Sequence, residues 1–125
     1  MEGPDVTALT DWRSTLRAEF GADDGSFLLR LWMTRRWDKA AFIRLTNAMM
    51  ACCEQYEGSE TMESWLAQGF YLVPTFTRHW VSSPDSPREH PQAYYQVALQ
   101  RLDDLARWFF FGESPYLSGH EWHPL

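Results

Sequence analysis

Apolar residues recur at intervals of three and four positions along most of this chain, and this spacing constrains the fold more than any other feature. Leu9, Trp12 and Leu16 follow it near the start, which places their side chains on one face of an α-helix. The same spacing returns in two longer segments, at about 39–57 and 91–111. The sequence therefore predicts an all-α protein in which these two long helices form the spine of a bundle.

Residues that cap or end helices divide the chain further. Ser26 and Asp38 are typical N-cap residues, and Pro91 suits the first position of a helix. Gly21 and Gly112 are typical of helix C-termini. The predicted helices number about five and lie at approximately 6–20, 27–36, 39–57, 60–82 and 91–111, with an irregular C-terminal tail after them.

Two of these helices carry conflicting signals. The apolar pattern of residues 27–36 fits a short helix and a buried strand about equally well, and we predict a helix because the neighbouring segments are helical. Within 60–82, Gly69 and Pro74 are both unfavourable in a helix interior. We therefore expect this helix to break near one of them.

Composition indicates a single folded domain over residues 1–125. Hydrophobic residues make up 45% of the chain and charged residues 22%, which are ordinary values for a globular protein. No apolar run approaches the roughly 20 residues of a membrane span, and the N-terminus lacks the basic and apolar regions of a secretory signal. The adjacent Cys52 and Cys53 are poorly placed to pair with each other and are expected to be buried thiols. We therefore expect a cytoplasmic protein.

Positive charge is concentrated in one segment of a chain whose formal net charge is −6. Residues 25–53 hold five basic residues against one acidic residue, a local net charge of +4, which leaves −10 for the rest of the chain. The basic residues of this segment are Arg30, Arg35, Arg36, Lys39 and Arg44. In one interpretation they pair with carboxylates elsewhere in the fold, such as Asp103 and Asp104. In the other, Arg35 and Arg36 bind an acidic surface of a partner. The excess of acidic residues elsewhere makes nucleic acid an unfavourable partner.

The chain has twenty aromatic residues, seven of them tryptophan, which is more than the core faces of its helices need. In the last predicted helix, Trp108 and Phe111 point away from the core face. Either the tail folds back and covers them, or they form an exposed patch that binds a partner. The residues predicted to contact a partner are Trp108, Phe110, Phe111, Tyr116 and Trp122, with Arg35 and Arg36 as a second patch.

Motifs that would indicate catalysis or metal binding are missing from the sequence. His120 and His123 lack the i, i+4 spacing of a zinc protease, and no Glu-x-x-His pair of a di-iron bundle is present. The chain also lacks a nucleophile elbow, a phosphate-binding glycine loop and a dinucleotide fingerprint. We therefore expect no cofactor and no metal, and a binding protein in preference to an enzyme.

These observations favour two functions from different classes. The first is a small bacterial protein that binds another protein, as an inhibitor, a toxin-immunity protein or an adaptor does, or that self-associates as a homodimer. The alternative is a small-molecule-binding protein or enzyme with an aromatic pocket between helices. The predicted lining of that pocket is Trp65, Tyr71, His79 and Trp80.

Overall fold

A computed structural model describes the backbone of residues 4–125 and the side chains of residues 11–117 and 119–125. Within these residues the chain forms helices and no strand, so the predicted all-α class is confirmed. The elements are α1 (Pro4–Phe20), α2 (Phe27–Met33), α3 (Lys39–Tyr56), α4 (Ser64–Ser82), α5 (Gln92–Phe111) and a short 3₁₀ helix (Pro115–Ser118).

Helix α3 lies in the middle of the bundle, between α1 on one side and α5 on the other. Its buried side chains include Phe42, Leu45 and Met49, as expected for a helix that is apolar around much of its circumference. Helix α4 packs against α5, and the short α2 contacts α1, α3 and α4. None of the helices within residues 4–125 is both long and apolar enough to cross a membrane.

Helix α2 confirms the helical prediction for residues 27–36 but ends three residues early. The Ser26 side chain caps it by accepting a hydrogen bond from the backbone of Leu29. The helix ends at Met33, and Arg35 has a backbone φ of 58°, in the left-handed region. A left-handed residue cannot continue a right-handed helix. The chain then turns into α3, whose N-terminus is capped by the predicted residue, Asp38.

The end of α1 differs from the prediction in one respect. A different residue adopts the left-handed conformation that ends the helix. Gly21 was the expected terminator, yet Ala22 is the left-handed residue, with a φ of 55°. The Ala22 amide donates to the Glu19 carbonyl and the Asp23 amide to the Ala18 carbonyl, which together form a Schellman motif. The helix therefore ends as predicted, but with a residue that is strained at this position.

The predicted break in the fourth helix is wrong. Helix α4 begins at Ser64, after the N-cap residue Glu63, and continues without interruption past both Gly69 and Pro74 to Ser82. Gly69 is present because the ring of Phe20 occupies the space where a side chain would lie. Tertiary packing therefore outweighs the unfavourable helix propensity of glycine.

Buried Glu19 connects the first three helices. Its Oε1 accepts a hydrogen bond of 2.9 Å from the backbone N–H of Phe27, at the start of α2. Its Oε2 accepts one of 3.0 Å from Nε of Arg44 on α3. Arg44 in turn donates to the carbonyl of Gly25 in the loop before α2. One carboxylate thus fixes the positions of α1, α2 and α3 relative to each other.

Candidate protein-interaction surfaces

A large part of the aromatic content forms an internal cluster around Trp37. This residue lies in the linker between α2 and α3, and only 4% of its surface is exposed. Its indole N–H donates a hydrogen bond of 2.8 Å to the hydroxyl of Tyr94. Its ring centroid lies 4.9–6.1 Å from those of Phe27, Phe42, Trp80, Tyr94 and Tyr95. Sequence analysis missed Trp37 because a residue between helices belongs to no periodic pattern.

The basic segment is largely neutralised by carboxylates. Arg30 pairs with Asp38 at 3.1 Å, and Arg36 pairs with Glu89 at 3.0 Å. Arg44 pairs with Glu19, as described above. Arg30, Arg36 and Asp38 border an open cleft of about 960 Å³ that also contains Lys39, Trp37 and His90. Because acidic residues lie beside the basic ones, the cleft does not present an unpaired arginine cluster to an anion.

The carboxylates expected to pair with this segment have other partners. Asp103 binds Arg78 of α4, with both carboxylate oxygens within 2.6 Å of one guanidinium nitrogen. Asp104 is buried, accepts a hydrogen bond of 2.8 Å from Gln100 and lies 3.0 Å from the ring of His120. The expectation that Asp103 and Asp104 neutralise the basic segment was therefore wrong, since both face other elements.

Arg35 differs from its neighbours because its guanidinium donates to the backbone carbonyl of Asp85 and pairs with no carboxylate among the described residues. Arg17, on α1, also has no carboxylate partner there. Its guanidinium carbon lies 3.9 Å from the ring centroid of Trp65. Neither a carbonyl dipole nor an aromatic face removes a full positive charge. Arg17 and Arg35 therefore remain positively charged centres at the surface.

The C-terminal tail folds back on α5, as one of the two alternatives predicted. The ring of Tyr116 lies 6.2 Å from that of Trp108 and 5.4 Å from that of Trp122. The guanidinium of Arg101 lies 3.8 Å from the ring centroid of Trp122 and donates to the carbonyl of His123. Arg101 is itself buried on α5, so the tail supplies the contacts that this charge needs.

Tyr116 links the tail to two buried charged groups. Its hydroxyl interacts electrostatically with Asp104 and Arg101, and burial, followed by the charge of Asp104, raises the pKa of Tyr116 well above its ordinary value. Burial also lowers the pKa of Arg101. Trp108 is buried, with its indole N–H 3.0 Å from Oε2 of Glu57. Three of the predicted contact residues, Trp108, Tyr116 and Trp122, are thus engaged in holding the tail against α5.

The tail leaves the end of α5 uncovered. Phe111 is 73% exposed, and Phe110 is 39% exposed. Phe111, Arg107 and the start of the tail line a groove of about 220 Å³. Of the two predicted alternatives, coverage by the tail holds for Trp108 but not for Phe111.

A larger apolar surface, which sequence analysis did not find, lies between α2 and α4. Its members are Leu28, Trp32, Trp65, Leu72 and Phe76, and we call this set the α2–α4 strip. Trp32 is 65% exposed and Leu72 is 55% exposed, while the other three are half-buried. Leu28 and Trp32 are four residues apart on α2, and Leu72 and Phe76 are four apart on α4, so each pair lies along one face of its helix.

Two grooves follow one another along the strip. Leu28, Trp65 and Leu72 line a groove of about 200 Å³. Trp32 and Phe76 line a second groove of about 410 Å³. Arg17 borders the first groove, and Arg35 and His79 border the second. Among the described residues, no carboxylate belongs to the lining of either groove.

The four residues predicted to line a small-molecule pocket are spread over this face. Trp65 borders the first groove, whereas His79 and Trp80 border the second. Tyr71 is 63% exposed and borders neither groove. The structure therefore places these four side chains at separate points along α4 and brings only His79 and Trp80 together.

Both cysteines are free and buried. Burial raises the pKa of Cys52 to about 12 and raises the pKa of Cys53 as well, which disfavours the reactive thiolate. Among the residues that the structure describes, no three His, Cys, Asp or Glu side chains converge as a metal site would require.

Glu63 accepts three side-chain hydrogen bonds at the start of α4. Tyr56 donates at 2.5 Å, Trp65 at 3.0 Å and Arg13 at 2.7 Å. These bonds, with that from Tyr56 the strongest influence, lower the pKa of Glu63 to about 2. Because the same carboxylate fixes the indole of Trp65, it positions one end of the α2–α4 strip.

Comparison of the chain with protein-family models, with curated proteins and with solved structures gave no match.

Proposed function

We propose that this protein acts by binding another protein, and that the α2–α4 strip is its main contact surface. The observation that carries the proposal is the exposure of Trp32 and Leu72 beside two grooves lined by apolar side chains. Large exposed apolar surfaces are characteristic of interaction sites, and tryptophan is enriched among the residues that dominate binding energy. Inhibitor, toxin-immunity and adaptor roles in a bacterial cell all fit a protein that acts through such a surface.

The exposed end of α5 is a second candidate surface. Phe110 and Phe111 stay in the proposal as contact residues, because the tail leaves them exposed. The α2–α4 strip has stronger support, since its apolar residues come from two helices and adjoin grooves that side chains of a partner can enter. Trp108, Tyr116 and Trp122 support the fold of the tail, and a role for them in binding would be indirect.

The small-molecule alternative has less support. Its four predicted lining residues lie apart along α4, and the grooves that three of them border are open to solvent. A cytoplasmic location remains part of the proposal. The supporting observation is that Cys52 and Cys53 are free thiols, which is the usual state of cysteine in a reducing compartment.

The proposal is tested by affinity capture from the native host followed by mass spectrometry, with the wild type and two matched variants. The first combines Trp32→Ser and Leu72→Ser, and the second is Phe111→Ser. We expect the first variant to lose the captured partner and the second to retain it, with both folded by circular dichroism. The reverse pattern would assign binding to the end of α5. Retention of the partner by both variants would refute both surfaces.

A further inference from the structure

We propose that the partner presents an amphipathic helix with acidic ends, and that this helix lies along the α2–α4 strip. The inference rests on the proposed function and specifies the chemistry of the partner segment. It depends on three properties of the strip, namely the spacing of its apolar side chains, the positions of its unpaired positive charges and its length.

The apolar spacing matches one face of a helix. Leu72 and Phe76 are separated by one turn of α4, and Leu28 and Trp32 by one turn of α2. The two grooves lie one after the other along α4, with Trp65 and Leu72 in the first and Phe76 in the second. A helix with apolar residues at i, i+4 and i+7 can direct successive side chains into such consecutive grooves.

Positive charges stand at both ends of the strip. Arg17 lies at the end marked by Trp65, and Arg35 lies at the end marked by Trp32. Arg17 contacts an aromatic face and Arg35 a backbone carbonyl, so neither charge is neutralised within the described residues. By contrast, Arg13, Arg30, Arg36, Arg44 and Arg78 each pair with a carboxylate.

The rest of the molecule strengthens this contrast in charge. The chain carries a net charge of −6, whereas the linings of both grooves contain arginine and no acidic residue among the residues described. An acidic partner would be repelled by most of the surface and attracted to this face. Such complementarity favours the correct orientation at encounter and excludes other orientations.

The distance between the two charged ends of the strip sets the length of the partner helix. Trp65 and His79 are 14 positions apart within α4, which corresponds to about 21 Å at the rise of an α-helix. A bound helix of about four turns would therefore reach from Arg17 to Arg35. Carboxylates at its two ends would meet these arginines, and apolar side chains between them would enter the grooves.

A second copy of this chain fits the strip poorly. In a symmetric dimer the same patch meets itself, which would bring the arginines of one copy close to those of the other. Like charges facing each other across an interface are unfavourable. The linings of the two grooves would also offer no carboxylate among the described residues to neutralise them. We therefore favour a partner of opposite charge over self-association through this face.

The proposal is tested with three stapled helical peptides of about four turns, each with leucines at i, i+4 and i+7. The peptides carry glutamate, glutamine or lysine at both ends and are otherwise identical. Their affinities for the full-length protein are measured by fluorescence anisotropy at low and at physiological salt. We expect the glutamate peptide to bind about tenfold more tightly than the lysine peptide, with a difference that shrinks as salt is added.

Variants show whether the peptides bind at the strip. We expect Trp32→Ser to weaken all three peptides, and Arg17→Gln with Arg35→Gln to weaken the glutamate peptide alone. The matched control is Lys39→Gln, which should leave every affinity unchanged. Lys39 is exposed at the start of α3, its ammonium contacts the ring of Tyr94, and it lines neither groove.

Three results would overturn the proposal: equal affinity for the three peptides, no binding of any of them, or strip-dependent self-association in sedimentation. Equal affinity with retained sensitivity to Trp32→Ser would remove the acidic partner but leave the strip as a protein-binding surface. Capture of the native partner by the Trp32→Ser, Leu72→Ser variant would instead refute the proposed contact surface. Failure of the acidic-helix proposal can therefore be distinguished from failure of the proposed contact surface.

Discussion

The ring of Phe20 at the end of α1 lies directly over Gly69 in the interior of α4. A Cβ atom on residue 69 would lie 2.0 Å from Cδ2 of Phe20, well inside van der Waals contact. The Phe20 ring also makes edge-to-face contacts with Trp65 and Phe70. The two helices can pack this closely because residue 69 has no side chain.

The first prediction is that Gly69→Ala destabilises the protein by about 1–3 kcal/mol, because Phe20 must leave its place between Trp65 and Phe70. The sign of this stability change is informative, since alanine is otherwise favoured over glycine in a helix by about 1 kcal/mol. Urea denaturation measures the change. The control is Gln68→Ala at the neighbouring exposed position, which should change stability by less than about 0.5 kcal/mol. A stabilised Gly69→Ala variant would contradict the packing described.

The second prediction concerns Ala22, which adopts the left-handed conformation at the end of α1. Ala22→Gly relieves this strain but also increases the entropy of the unfolded chain. The free energy gained from the relief should be the larger of the two, so the variant should be more stable by about 0.5–1 kcal/mol. Thermal denaturation gives the measurement. Ala106→Gly, in the interior of α5, should have the opposite effect and cost about 1 kcal/mol. Equal losses in both variants would show that Ala22 is not strained.

The third prediction is a loss of stability in acid that depends on Glu63. Its pKa is about 2 in the folded protein, against an ordinary value of 4.5. Because the folded state lowers this pKa, the contribution to stability is complete above about pH 4.5 and is lost as the pH falls towards 2. The stability difference between the wild type and Glu63→Gln should therefore shrink over this range. A carboxyl NMR titration reads the pKa directly.

The control for the loss of stability in acid is Glu60→Gln, at an exposed position just before α4. Its stability should follow that of the wild type throughout the acid range. A Glu63 carboxyl that titrates near 4.5 would show that the hydrogen bonds from Tyr56, Trp65 and Arg13 do not persist in solution.

The fourth prediction tests the attachment of the tail to α5. Tyr116→Phe removes the hydroxyl that interacts with Asp104 and Arg101, both of which are buried. Leaving buried charged groups with one partner fewer should cost about 1–3 kcal/mol. Chemical denaturation measures the loss. Leu117→Ala, at the next position, is the control because Leu117 is 87% exposed. Equal effects of the two substitutions would argue against a specific role for the hydroxyl.

Local signals in the sequence were sufficient to predict the all-α class and the N-termini of α2 and α3. Ser26 and Asp38 cap helices as expected, and the three- and four-residue spacing of apolar residues identified the helices predicted at 39–57 and 91–111. These features involve residues within a few positions of one another, so their physical effects can be read without knowing the fold. The C-terminus of α1 was also located correctly, although Ala22 and not Gly21 takes the left-handed conformation.

Contacts between residues far apart in the chain were decided by the tertiary structure. Gly69 lies within a continuous helix because Phe20, about fifty positions earlier, fills the space above it. The partners of Arg36 and Asp103 come from other elements, Glu89 and Arg78, because helix packing determines which charges meet. The α2–α4 strip arises in the same way. Leu28 and Leu72 form one surface only because α2 packs beside α4, and no periodicity within either helix encodes that neighbour.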